Sequence, residues 1–206
     1  MDGMERLDKQ LRFILEIDQL KNVLRQSPLT DASRRENSAE HSWHLGVMAI
    51  TLAEYAPPGT DICRVVTMLL LHDIVEIDAG DSFVYAPEAV LAEYEKAERV
   101  AAERIFALLP TGQAEQLRAV WTEFEDRQTA EARFARALDR LQPMLANDRT
   151  DGGTWRSHGV TADQVLEKVT LIEDGSAELG RYARNLVEKA VARGILAPSR
   201  AVPGAP

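Results

Sequence analysis

Apolar residues recur along this chain at intervals of three and four, the mark of amphipathic helices, and alternating β-rich runs reach only a few residues. Leu7, Leu11, Ile14, Ile17, Leu20 and Leu24 predict a first helix, broken by Ser27-Pro28 and a polar stretch to Arg35. Asn37 and Glu40 stand at capping-box spacing ahead of Leu45, Met48, Leu52 and Tyr55, so a second helix runs to the stop at Pro57-Pro58-Gly59. From Asp61 to about Asp78 apolar residues fall on nearly every side, the pattern of a third helix buried in the middle of a bundle.

Pro87 opens a fourth helix through Val90, Tyr94, Ala97, Ala101, Ile105 and Leu108. Leu117, Val120 and Phe124 predict a fifth, and Phe134, Leu138, Leu141 and Leu145 a sixth. A polar loop follows from Asn147 to Gly159. Thr161 and Gln164 then repeat the capping spacing before Val165, Val169 and Ile172, and Leu179, Ala183, Leu186 and Ala190 supply the last helix. The fold class is therefore all-α: one domain of about eight helices over residues 1–195, with a flexible tail over 196–206.

Composition narrows the function. With 45% hydrophobic and 28% charged residues the chain encodes a folded globule. Its longest strongly apolar stretch, Val65 to Leu71, falls far short of the roughly 20 residues of a membrane span. The first residues enter a charged amphipathic pattern with no signal-peptide core, and Cys63 is the single cysteine; both predict a cytosolic, reducing setting. Lys and Arg total 24 against 33 Asp and Glu, a net charge of -9, which disfavours long nucleic acids. A small phosphate ester stays allowed, because one metal ion and one or two arginines reverse the field locally.

The anomaly lies in Leu69-Leu70-Leu71-His72-Asp73-Ile74-Val75-Glu76-Ile77, where three ionisable side chains interrupt the most apolar stretch. Burying them without partners costs several kcal/mol, and a metal ion with His72 and Asp73 as ligands would compensate. If the second and third helices pair antiparallel, His41, seventeen residues before Pro58, meets His72, fourteen after it; at ~1.5 Å rise per residue they lie within about one helical turn of the same level. Histidines with carboxylates suit one divalent ion of Mn, Co, Fe, Ni or Zn. Asp139, beside the apolar stripe of the sixth helix, is the natural further ligand; the alternative is an exposed Asp139 paired with Arg136 or Arg140.

In that order on successive helices, His41, His72-Asp73 and Asp139 resemble the HD superfamily of metal-dependent phosphohydrolases, over roughly Leu7 to Leu145. Arg35-Glu36-Asn37-Ser38-Ala39-Glu40-His41-Ser42, His72-Asp73-Ile74-Val75-Glu76, Gly80-Asp81 and Leu138-Asp139 are similar to the branch containing the bacterial 5′-deoxynucleotidases. The resemblance implies an HD-type bundle with His41, His72, Asp73 and Asp139 as metal ligands and Glu76 and Asp81 in the hydrolytic step. It also implies that Arg25 contacts the substrate phosphate, a role open to Arg34 or Arg35 as well. The implied reaction releases phosphate from deoxynucleoside 5′-monophosphates. The alternatives are nucleotide pyrophosphate or triphosphate hydrolysis by another HD enzyme and a non-catalytic nucleotide-sensing module. Glu76-Ile77-Asp78 lacks the adjacent Glu-Asp pair of stringent-response hydrolases.

The remaining candidates follow from position. His44, three residues from His41, reads as a core histidine or a support to the ligands. Trp155 and His158 lie on the glycine-containing loop, where they either stack on a nucleobase or anchor the loop. Apolar surface on the first and fourth helices, with the pairing common in HD enzymes, predicts a homodimer.

Overall fold

In a computed structural model, which describes residues 3–198, the chain runs through α1 (Gly3–Ile17), a hairpin of β1 (Leu24–Pro28) and β2 (Arg35–Asn37), α2 (Ser38–Thr51), α3 (Ile62–Leu71), α4 (Glu76–Ala79) and α5 (Glu88–Phe106). It continues through α6 (Thr111–Asp126), α7 (Ala130–Arg149), α8 (Gly153–Ser157), α9 (Ala162–Gly175) and α10 (Ala177–Ala192). No described helix is long and apolar enough to cross a membrane.

The long helix α7 organises the rest, because it packs against α2, α3, α6, α9 and α10. Phe134, Leu138 and Leu141 on α7 join Leu45, Met68, Leu69, Val165, Val169 and Ile172 in the main core. A second core gathers Phe13, Ile74, Val75, Ile105, Phe106 and Trp121. Leu71 packs against both, so the residues directly after it form the bridge between the two cores.

That bridge corrects the single third helix expected over Asp61 to Asp78. α3 stops at Leu71, and the next residues tighten into i to i−3 turns, with Ile74 N–H on Leu71 O at 3.3 Å and Glu76 N–H on Asp73 O at 2.9 Å. The carbonyl of His72, freed from the helical ladder, accepts from Trp121 Nε1 at 3.2 Å. Periodicity does not register such a break, since a tightened turn shifts the apolar phase by only a fraction of a turn.

The first helix is also shorter than its stripe. It yields to a 3₁₀ turn over Asp18–Asn22 and then to β1, so Leu24 and Arg25 are extended. The strands pair antiparallel with Leu24 opposite Asn37 and Pro28 opposite Arg35. Leu-Arg-Gln-Ser-Pro and Arg-Glu-Asn carry no β-branched or aromatic residue, so propensity gave no sign of them. Both capping boxes form as expected: Asn37 with Glu40 opens α2, and Thr161 with Gln164 opens α9.

The polar loop expected over 147–159 holds α8. Asn147 Oδ1 accepts from Thr154 Oγ1 at 2.9 Å and from Trp155 N–H at 3.2 Å, while its amide donates to Pro143 O at 2.8 Å. Order also extends past the boundary expected at 195, because Leu196 is buried and Ala197 O accepts from Ala162 N–H at 2.9 Å. The rest of the expected tail, from 199, lies outside the described residues.

The α7–α9 packing is set by a glycine. A Cβ on Gly175 would meet Arg133 O at 2.3 Å and Ala137 Cβ at 2.7 Å. Alanine favours a helix over glycine by about 1 kcal/mol, yet overpacking against backbone costs about 1–3 kcal/mol. Gly175→Ala is therefore expected to destabilise the protein, read as a lower denaturation midpoint in urea; an unchanged or raised midpoint would show that α7 and α9 separate freely.

Candidate active site

The site forms where β1, α2, the bridge after α3 and α7 converge. The capping box at Asn37 fixes the first turn of α2 and so aims Ser38 and His41 inward, both completely buried. His72 closes α3, with Nδ1 2.8 Å from Leu69 O. That contact is a donor bond from Nδ1, which leaves the Nε2 lone pair directed at the cluster. His72 Nε2 lies 2.9 Å from Asp73 Oδ1 and 3.7 Å from Asp139 Oδ1, and His41 Nε2 lies 3.2 Å from Asp139 Oδ1.

Ligand atoms of His41, His72 and Asp73 lie within 4.8 Å of one another. Nε2 of His72 is buried without a hydrogen-bond partner. Burial opposes charge on His72, but Asp73 and Asp139 outweigh it and raise its pKa to about 10. Asp139 is driven far below the carboxylate range: burial pushes it up, and Arg140, His41 and His72 overcome that. Two carboxylates that demand a cation between two imidazoles fit a divalent metal, which would take the place of the proton.

Around the cluster the charges are mixed. Arg25 on β1 reaches Asp73 at 2.7 Å, Asp81 at 3.6 Å, Glu36 at 3.8 Å and Glu76 at 3.9 Å. Burial weakens its hold on the proton, but Asp73, Glu76 and Asp81 more than restore it. Glu76 is buried rather than a solvated helix end, and its Oε2 accepts from Ser38 Oγ at 2.6 Å. Burial, and next the charge of Asp73, hold Glu76 well above the usual carboxylate range. Asp81 is raised by burial and accepts from Gln26 N–H at 3.0 Å. His72, Asp73, Glu76, Asp81 and Asp139 line one end of a cavity of about 220 Å³, whose other walls come from α5, α6, α7 and α9. A smaller cavity of about 50 Å³ shares Arg25, Asp81, Arg140 and Lys168 with it.

The family model of the HD domain matches residues 17–179, a span that contains every one of these side chains. The chain belongs to the HD domain family. Its HD domain superimposes on the crystal structure of the "Predicted metal-dependent phosphohydrolase" of Magnetospirillum magnetotacticum MS-1 with a TM-score of 0.88 and 57% identity, covering 94% of this chain and 100% of that one. It is 32% identical over 138 residues to 5′-deoxynucleotidase HDDC2 of Xenopus laevis, 66% of each chain, and 30% identical over 138 residues to the Homo sapiens protein of that name, 66% of this chain and 65% of that one. The aligned part thus spans just under two thirds of these curated relatives. A conserved hypothetical protein of Pyrococcus furiosus, 19% identical with a TM-score of 0.59 over 88% of this chain and 99% of that one, shares the fold.

Within this HD domain the structure brings together His41, His72, Asp73, Asp139, Glu76, Asp81 and Arg25. Asp139 is buried at the cluster, not exposed as the alternative had it, although it also lies 3.4 Å from Arg136 and 3.8 Å from Arg140. Arg35 stands outside: it is exposed, and its guanidinium donates to the carbonyls of Arg25 and Leu24, fastening the hairpin. Arg34 likewise pairs with Glu40 at 2.6 Å on the surface. Trp155 is 1% exposed, within the main core and against the smaller cavity, so its ring anchors α8 rather than offering a free face for stacking. His158 lies over Phe83, with ring centroids 4.3 Å apart.

Sequence reasoning assigned no role to Glu36, Ser38 or Gln142. Glu36 Oε2 lies 3.3 Å behind His41 Nδ1, and Glu36 Oε1 accepts from Gln142 Nε2 at 2.9 Å. The only signal was an acid and a serine flanking a cap residue, a composition shared by ordinary helix starts.

Proposed function

We propose that this HD domain is a metal-dependent phosphohydrolase that releases phosphate from small nucleotides, deoxynucleoside 5′-monophosphates first among them. The observation that carries the reading is the buried group of His41, His72 and Asp73 with Asp139 3.2 Å from His41, beside a cavity lined by His72, Asp73, Asp139, Glu76, Asp81 and Arg25. The relatives' names support it: one is called a phosphohydrolase and others 5′-deoxynucleotidases.

In this reading His41, His72, Asp73 and Asp139 hold one divalent ion, which when bound supplies Lewis acidity and a nucleophilic water at neutral pH. Glu36 orients His41 from behind. Glu76, kept in place by Ser38, receives the proton of the attacking water, since burial has raised its basicity toward the working pH. Asp81, tied to the backbone of β1, holds Arg25 and orients the same water. Arg25 steadies the acids around the reacting phosphate.

The test is release of inorganic phosphate from a panel of ribo- and deoxynucleoside mono-, di- and triphosphates, each with Mn, Co, Ni, Zn or Mg. Deoxynucleoside monophosphates are expected to be preferred. Preference for triphosphates would favour the other HD chemistry, and nucleotide binding without turnover would make the domain a sensor.

A cytosolic homodimer completes the proposal. Leu7, Leu11, Ile14 and Leu15 on α1 and Val100 on α5 remain exposed, apolar surface that pairing would cover. Light scattering at micromolar concentration is expected to give twice the 22.9 kDa chain mass, and the mass of one chain would reject pairing.

A further inference from the structure

We propose that Arg127 and Arg140 form an anion seat on the α6–α7 wall of the larger cavity and hold the substrate's phosphate there. This rests on the phosphohydrolase reading for the identity of the anion, and on the charge arrangement for the site itself.

The other cations that line this cavity are already engaged. Arg25 lies among four carboxylates. Arg136 packs on the Phe124 ring, 4.7 Å from its centroid, and reaches Glu125 and Asp139 at 3.4 Å each. Lys168 pairs with Glu167 at 3.0 Å. The Nε atoms of Arg25, Arg136, Arg127 and Arg140 are all buried without a partner, but Arg25 and Arg136 bond through their terminal nitrogens, whereas the guanidinium groups of Arg127 and Arg140 make no hydrogen bond to any described residue. The single ion pair of Arg140, to Asp139 Oδ2, is 3.8 Å long and beyond hydrogen-bond reach. Buried donors left unpaired are unfavourable unless something arrives to accept from them, and a phosphate, with its several charged oxygens, is the acceptor that guanidinium groups match best.

Backbone geometry gives a second reason. Arg127 is the residue at which α6 ends, and it adopts the left-handed conformation, φ 58° and ψ 26°. Glycine takes that position without strain, whereas an arginine is strained. No hydrogen bond or ion pair to a described residue offsets that strain, and the Arg127 side chain lines the cavity.

Position completes the argument. Asp139 presents Oδ1 to the two histidines and Oδ2 toward Arg140, so a single carboxylate separates that guanidinium from the metal-ligand cluster. A phosphate seated at the cluster is then within reach of Arg140, which also borders the smaller cavity. Arg25 stands among the acids near the cluster, and Arg127 and Arg140 add positive charge for the phosphate on the α6–α7 wall.

The experiment measures inorganic phosphate binding by calorimetry at saturating metal, for the full chain and for Arg127→Gly, Arg140→Gln and Arg140→Lys, with metal content checked by elemental analysis. Arg127→Gly and Arg140→Gln are each expected to weaken phosphate about tenfold or more, the scale of a charged hydrogen bond. The KM for deoxynucleoside monophosphates should rise in step, and Arg140→Lys should recover part of the loss. Arg127→Gly should also keep or raise the melting temperature, which a merely structural arginine would not do. Unchanged phosphate affinity in Arg127→Gly or in Arg140→Gln, or a loss matched by a lower metal content, overturns the seat. Should the wild type bind phosphate through both arginines yet hydrolyse no nucleotide, the hydrolase reading fails and the seat stands.

Discussion

Replacing His72 with alanine is expected to strip the divalent ion from the protein and abolish hydrolysis with it. His72 Nε2 lies between Asp73 Oδ1, at 2.9 Å, and Asp139 Oδ1, at 3.7 Å, and its other nitrogen is committed to Leu69 O, so the ring cannot turn to offer a second donor. Even residues that only orient ligands are worth roughly 10–100-fold in metal affinity; loss of a direct ligand should exceed that. Metal titration followed by elemental analysis reads the result. Asp139→Asn should behave alike and keeps a hydrogen-bonding group beside Arg136. Full stoichiometry in the His72 variant would mean that the histidines and acids are only a hydrogen-bonded core.

Glu76→Gln should do the opposite, keeping metal and fold while turnover falls by roughly 10²–10⁴-fold, the usual span for a lost general base. Glutamine preserves the volume of the buried side chain and a bond to Ser38, so the effect isolates the proton-accepting oxygen. A pH profile adds a second reading. A carboxyl whose pKa is raised is protonated below that value and cannot accept a proton, so wild-type turnover should fall as pH drops through it. That acid limb should be missing from the residual activity of the variant. Near-normal turnover with metal saturated would remove Glu76 from the chemistry. Asp81→Asn should lose less, because its contact with the Gln26 amide can survive.

The sequence showed the helices wherever a wide apolar stripe had to be buried, as with Leu45 and Met48 on α2 or Val165, Val169 and Ile172 on α9. It pointed to the buried cluster of His72, Asp73 and Glu76 because charged residues inside Leu69–Ile77 have no inexpensive explanation. It hid whatever depends on a short-range departure from periodicity: the hairpin carrying Arg25 inward, the turn that ends α3 at the His-Asp pair, and α8 inside a polar loop. It also hid the supporting polar groups. Glu36, Ser38 and Gln142 matter through contacts with residues 5, 38 and 106 positions away respectively, and nothing in the identity of a glutamate, serine or glutamine announces such a partner.

The same topology bears on how the chain is made. His41 and Asp139 are 98 positions apart, and the helix that supplies Asp139 is the one against which α2 and α3 pack. At synthesis rates of about 5–20 residues per second, the two histidines leave the ribosome several seconds before that carboxylate. Through that interval the emerging segment has no α7 to close its core and no complete set of donors for an ion. Under the proposed ligand set, the complete site cannot exist before the polypeptide has passed Asp139, so the order of synthesis keeps the early histidines and the late acid from meeting until α7 is made.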